Sequence, residues 1–158
     1  MILPIVTGET TPMLVEPSKK VKNPLAPEIQ NLIPVMFESM HAAKGIGLAA
    51  PQIGESIRMA VIEIDGERTV LINPKITSFS KSHILFEEGC LSLPGKQFLI
   101  ERSEKVTVRY IDERGESVKT KATGLFAVAI QHEVDHLDGI LIAERSRTQK
   151  AKNIPYAL

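Results

Sequence analysis

Residues 124–139 read Gly-Leu-Phe-Ala-Val-Ala-Ile-Gln-His-Glu-Val-Asp-His-Leu-Asp-Gly, and the rest of the chain is organised around them. Leu125, Val128, Ala129, His132 and His136 recur at spacings of three and four, the period of one helix face. The pattern predicts a helix over Gly124–Asp138, with Gly139 as its stop signal. Inside it, His132-Glu133-Val134-Asp135-His136 is an H-E-x-x-H motif. Histidines four residues apart stand one above the other on a helix, so both imidazoles reach one metal ion. Glu133 is offset in angle, and can approach a water in the site without being a ligand. Two histidines continuing an apolar face beside a glutamate are costly to bury unless something organises them.

A catalytic zinc-type site takes three protein ligands and leaves one position open. The metzincin extension H-E-x-x-H-x-x-G-x-x-H finds its glycine at Gly139 but fails at its last position, which is Ile142. The acidic residues after His136 are only Asp138 and Glu144, both close to the helix. The third ligand is therefore expected upstream, from Cys90, His41 or His83. Cys90 is the best of these. It lies in Glu87-Glu88-Gly89-Cys90-Leu91-Ser92-Leu93-Pro94-Gly95, where Gly89 permits close approach and Pro94-Gly95 fixes a turn. A thiolate is a strong ligand, and a metal deprotonates it outright. A free cysteine is otherwise most often a small buried hydrophobe.

Working outward, Pro4, Pro12, Pro17 and Pro24 exclude regular helix from most of residues 1–26. Ile2, Leu3, Ile5, Val6, Met13, Leu14 and Val15 make this segment an extended arm wrapped on the domain. A first helix is expected over Pro27–Lys44, with Ile29, Leu32, Ile33, Met36, Phe37 and Met40 on one face and Pro34 as an internal kink. GIGLAAPQIG, residues 45–54, reads as a glycine-bounded loop. Strands follow at 58–64, 69–71, 75–80, 83–87, 104–111 and 117–122, with hairpin turns at Asp65–Arg68 and Glu113–Gly115. A short strand is expected at Ile140–Ala143, then a helical turn or two from Glu144. Antiparallel hairpins with segregated helices make the fold class α+β, with antiparallel β-sheets around the central H-E-x-x-H helix.

Composition bounds the rest. The chain has 158 residues, 19 Lys+Arg against 19 Asp+Glu, and one cysteine. That length suits a single domain spanning residues 1–158 with a short tail, and it needs no disulfide. The zero net charge removes the usual case for tight nucleic-acid binding or an anionic membrane. No long apolar run or targeting segment is visible, so a cytoplasmic protein is expected.

Three segments together, GIGLAAPQIG at 45–54, EGCLSLPG at 88–95 and QHEVDHLDG at 131–139, strongly resemble the peptide deformylase family in order and spacing. The resemblance implies a hydrolase of protein biosynthesis that removes the formyl group from N-formylmethionine at the start of nascent polypeptides. It implies one divalent metal ion, natively Fe(II), with Zn, Ni or Co as alternatives, held by Cys90, His132 and His136. It maps the general acid/base to Glu133, a side-chain donor to Gln52 and a backbone donor to Leu91. A metal-activated hydroxide would attack the formyl carbon, with Glu133 passing the water's proton to the departing amine. The developing oxyanion would be met by the Leu91 N–H and the Gln52 amide, each such donor typically worth about 3 kcal/mol.

Gly47 is placed to let backbone groups pair with the peptide. Ile46, Phe86, Leu125, Val128 and Ala129 are candidate walls for the methionine side chain, since they flank the motifs. Glu88 is a candidate to orient a ligand histidine or to pair with Arg102. The expected partners are N-formylmethionyl nascent peptides, with a transient ribosome contact and no membrane. Two departures stand out: the tail after Glu144 is short, and Lys96-Gln97 stands where some members carry an arginine. A zinc endopeptidase and a non-catalytic metal-binding module are the competing readings.

Overall fold

The computed structural model describes residues 1–151; the end of the short tail lies outside them. In chain order the elements are α1 (Pro12–Val15), α2 (Pro27–Ala42), β1 (Gly47–Ala49), a 3₁₀ turn (Ala50–Ile53), β2 (Met59–Ile64), β3 (Glu67–Phe79), β4 (His83–Gly89), β5 (Gln97–Ser103), β6 (Lys105–Ile111), β7 (Ser117–Thr123), α3 (Gly124–Leu137) and α4 (Ile142–Ala151). The fold is α+β, as the sequence predicts. β1–β2–β3–β6–β7 form an antiparallel five-stranded sheet, and β4–β5 a separate antiparallel pair.

Helices cover both faces of the large sheet at β2, so Met59-Ala-Val-Ile62 is buried at every position rather than alternating. Met59 and Val61 join Val70 and Ile72 under Met36, Phe37 and Met40 of α2. Ala60 and Ile62 face the other way, with Leu71, Val106, Val108 and Ala122, against Ala127, Ile130, Val134 and Leu137 of α3. The H-E-x-x-H helix is thus clamped along one side, and its histidine side turns towards the β4–β5 pair. Leu14, Cys90, Leu93, Ile100, Leu141 and Ile142 form a third apolar cluster there.

The N-terminal segment is the expected arm, with the single turn α1 inside it. Val6 N–H donates to Gln52 O at 2.7 Å, Gly8 N–H to Ser92 O at 3.1 Å and Ser18 N–H to Leu137 O at 2.9 Å. Asn73 fastens the arm further on, accepting from Val21 N–H at 2.8 Å and donating to Val21 O at 2.9 Å.

Several local expectations are corrected. Residues 69–71 and 75–80 are parts of one long strand, β3, whose register shifts between Ile72 and Lys75. Pro74 has no N–H to give a ladder, and the irregularity accommodates it. GIGLAAPQIG holds β1 and the 3₁₀ turn instead of a plain loop. Gln97–Ser103 is a strand that the alternation does not announce, because its inward position 102 is an arginine. Ile140–Ala143 is no strand: Leu141, Ile142 and Ala143 are buried as the entry to α4.

Candidate metal centre and cleft

Cys90, directly after β4, meets His132 and His136 of α3, and their ligand atoms all lie within 4.8 Å of one another. Cys90 Sγ is 3.2 Å from His136 Nε2, and the two imidazoles stand edge to face with centroids 4.9 Å apart. His132 Nδ1 is 2.8 Å from Glu88 Oε1, which leaves its Nε2 for the cluster. This is the arrangement in which a carboxylate fixes the tautomer and orientation of a ligand histidine. A soft thiolate with two imidazoles is a donor set suited to Fe(II), Zn, Ni or Co, so the residues fit a divalent metal. His41 and His83 stand elsewhere, against Glu63 at 2.8 Å and Glu101 at 3.4 Å. Among the described residues no fourth His, Cys, Asp or Glu joins the group.

Electrostatics differentiate the cluster. Burial opposes charge on His132, but the adjoining Cys90 and Glu88 override it and hold its pKa at about 10. His136 is pushed well below the ordinary range by burial and by the nearby His132 and Arg102. Glu133 is buried, and loss of water raises its carboxyl to about 7, with the His132 charge pulling the other way. Its Oε2 has no hydrogen-bond partner among the described groups. A carboxyl poised near neutrality beside a ligand cluster has the pKa required of a general acid/base.

The walls converge on Glu133. A Cβ at Gly47 would overlap Glu133 Oε1 and lie 3.1 Å from its Cδ, so only glycine lets β1 pass this close. Gln52, 1% exposed, is fixed through Oε1, which accepts from Ala49 N–H at 2.9 Å. Its Nε2 is aimed at Ser92 Oγ, 3.1 Å away, and at Cys90 Sγ, 3.8 Å away. Leu91, next to Cys90, lines the same cleft. The cleft has a volume of about 730 Å³, and Gly47, Ile46, Phe86, Leu125, Val128 and Ala129 all line it. Ile46 and Leu125 are 47% and 40% exposed, an apolar rim open to solvent. Lys96, at the edge, is tied to Glu9 of the arm at 2.9 Å.

Behind Glu88 lies a charge network. Arg102 donates to Glu88 through Nε at 2.8 Å and a terminal nitrogen at 2.9 Å, and to Asp135 Oδ2 at 2.6 Å. Asp135 also accepts from Arg145 of α4, at 2.9 and 2.6 Å. Glu88 therefore contacts both His132 and Arg102. Burial works against its charge, but hydrogen bonds from Arg102 and His132 prevail and lower its pKa. Sequence reasoning missed Asp135, Arg145 and Ser92. The only signal for Asp135 is its place between the two motif histidines, one residue from the second. Ser92 carries one too, its place two residues after Cys90 in EGCLSLPG, whereas Arg145 carries none.

The sequence profile of the family "Polypeptide deformylase" matches residues 2–152. The peptide deformylase of Prochlorococcus marinus strain SARG is 46% identical over 130 residues, 79% of this chain and 64% of that protein, just under two thirds of its length. The peptide deformylase of Thermodesulfovibrio yellowstonii is 48% identical over 123 residues, 75% of this chain and 74% of that protein. Among solved structures, the Thermotoga maritima peptide deformylase superposes with a TM-score of 0.88 at 36% identity, covering 92% of this chain and 97% of that one. A class I type b peptide deformylase from Acinetobacter baumannii, solved with Met-Ala-Ser bound, gives a TM-score of 0.88 at 34% identity, covering 92% and 98%. Among the described residues no helix is long and apolar enough to cross a membrane. By profile, sequence identity and three-dimensional likeness, the chain belongs to the peptide deformylase family of hydrolases.

Proposed function

We propose that this protein removes the formyl group from N-formylmethionine at the start of nascent polypeptides, releasing formate. The observation that carries the reading is the Cys90, His132, His136 cluster with the buried Glu133 carboxyl beside it, at the floor of a cleft with an apolar rim. A divalent cation held by those three side chains would acidify a water and polarise the formyl carbonyl. Glu133, with its pKa near 7, takes the proton of the attacking water and delivers it to the departing amine. The Gln52 amide and the Leu91 N–H serve the oxyanion that forms at the formyl oxygen. Gln52 is suited to this because Ala49 fixes its oxygen and leaves the nitrogen turned towards Cys90. Ile46, Phe86, Leu125, Val128 and Ala129 receive the methionine side chain, and the backbone at Gly47 pairs with the peptide. Met-Ala-Ser bound to the Acinetobacter relative supports a methionine-first ligand. Glu88 and Arg102 keep His132 oriented.

The test is hydrolysis of formyl-Met-Ala-Ser by protein loaded in turn with Fe(II), Zn, Ni and Co, beside an internally quenched unformylated peptide. Release of formate with no cleavage of the second peptide is expected. Cleavage of the second peptide alone would make the protein an endopeptidase. No turnover with any metal, despite bound metal, would leave the binding-module reading.

A further inference from the structure

The 19 cationic and 19 anionic residues balance overall, but the fold does not distribute them evenly. α2 covers only part of its face of the large sheet. Ile111 packs at the edge of the core under α2. Arg109, Thr107 and Lys105 follow at steps of two along β6, and so share that face beyond the helix. The neighbouring strands continue it. Lys75 of β3 and Lys119 of β7 stand directly opposite Arg109, and Lys121 stands opposite Thr107. Two like-charge pairs side by side across three strands are destabilising. Among the described residues, Lys75, Lys105, Arg109, Lys119 and Lys121 make no ion pair, and all are exposed. Lys20 of the arm extends the patch. Together with Lys75, Arg109 and Lys119 it lines a shallow depression of about 340 Å³ whose walls include no carboxylate.

We propose that this basic sheet face is a docking surface for the phosphodiester backbone of RNA. Its cations sit on a grid of roughly 5 by 7 Å set by strand spacing and residue rise, on the scale of successive phosphates. Tyr110 reaches the wall of the depression, but its side chain packs against the opposite, α3-side cluster and offers no stacking platform, so the face grips backbone and not bases. A membrane would need apolar anchors among the cations. The exposed Phe79 is in register with Val106, which faces α3, and so is not one. The patch lies on the α2 side of the sheet, which leaves the cleft open beside α3. The choice of RNA among polyanions rests on the proposed function, because a formylated nascent chain is carried by an RNA-rich particle. The contact is loose and salt-sensitive: with four to six phosphates neutralised, affinity falls about a hundredfold between 50 and 200 mM salt.

The test is fluorescence anisotropy of a labelled single-stranded RNA of about 20 nucleotides, titrated with the metal-loaded full chain across that salt range. Wild type should bind in the micromolar range at 50 mM salt. The triple variant Lys75→Gln, Arg109→Gln, Lys119→Gln should bind at least about tenfold more weakly and flatten the log–log salt slope by about 2. Lys81→Gln, off the patch, should match wild type. Deformylase activity of the triple variant on formyl-Met-Ala-Ser should be unchanged, and its melting temperature should lie above that of wild type because both like-charge pairs are relieved. Absence of RNA binding at 50 mM salt, or equal binding by the triple variant, overturns the proposal. So does tighter binding to phosphatidylserine vesicles, or displacement of RNA by inorganic phosphate at equal ionic strength. Lack of formyl-peptide hydrolysis with RNA binding retained would refute the enzymatic reading and leave the docking face standing.

Discussion

Replacing Arg102 by methionine keeps an unbranched stem and removes the cation that Glu88 and Asp135 share. Arg102 is 4% exposed and donates three hydrogen bonds to those two carboxylates, at 2.6 to 2.9 Å. Removing one member of a buried ion pair costs about 3–5 kcal/mol, because the remaining charge is stranded away from water. Here each carboxylate retains one other partner, Glu88 the His132 ring and Asp135 the Arg145 guanidinium. The expected loss is therefore about 3 kcal/mol, near the lower end of that range. For a chain of this size that corresponds to roughly 6–12 °C in Tm. The sign of the pH dependence follows from Glu88. Its folded pKa is lowered, so its contribution is present above the unfolded value of 4.5 and is lost as pH falls through the folded one. Without Arg102, burial is left to oppose the charge, and the carboxyl takes up a proton at higher pH. The gap between wild type and variant should therefore narrow as the pH is lowered from about 7.5 to about 5. Urea unfolding of the zinc-loaded proteins at both pH values measures it, with unchanged m as the check on two-state comparison. A loss below about 1 kcal/mol, the worth of an exposed pair, would refute the reasoning, as would a gap that is the same at both pH values.

Glu133→Gln should keep the metal and lose at least about a hundredfold in kcat, in line with a general base worth roughly 10²–10⁴. In wild type the base must be ionised, and burial raises its pKa, so kcat/KM should climb with pH through about 7; a flat profile there would remove Glu133 from the role. Cys90→Ser should cut metal content sharply after dialysis against a weak chelator, and unchanged content by elemental analysis would exclude Cys90 from the ligands. Gly47→Ala drives a methyl into the Glu133 carboxyl; activity should fall at least about tenfold while far-ultraviolet circular dichroism stays as it is, since the clash is confined to the cleft.

How much of the molecule the sequence discloses depends on whether a residue's partners are local. His132 and His136 need only the pitch of one helix, and the strand alternation of 106, 108 and 110 needs only an apolar core on one side. Cys90 is reachable because a three-ligand cluster with two members in hand asks for a third. By contrast, β5 is invisible as a strand because position 102 points inward and is charged. Its partners sit on β4 and α3, 14 and 33 residues away in sequence. Paired with them, Arg102 behaves as a buried core residue; read alone, it behaves as a loop residue. The C-terminal run Leu141-Ile142-Ala143 misleads for a related reason, since a short apolar run fits a buried strand and a buried helix start equally well. The same feature that hides β5 is the one the site uses. An apolar residue at 102 would make the strand legible, but it would leave the Glu88 carboxylate buried with only His132 to hold, and nothing to fix how it holds that ring. Polar residues that break the pattern of a buried strand are thus a pointer to the site as well as an obstacle to reading the fold.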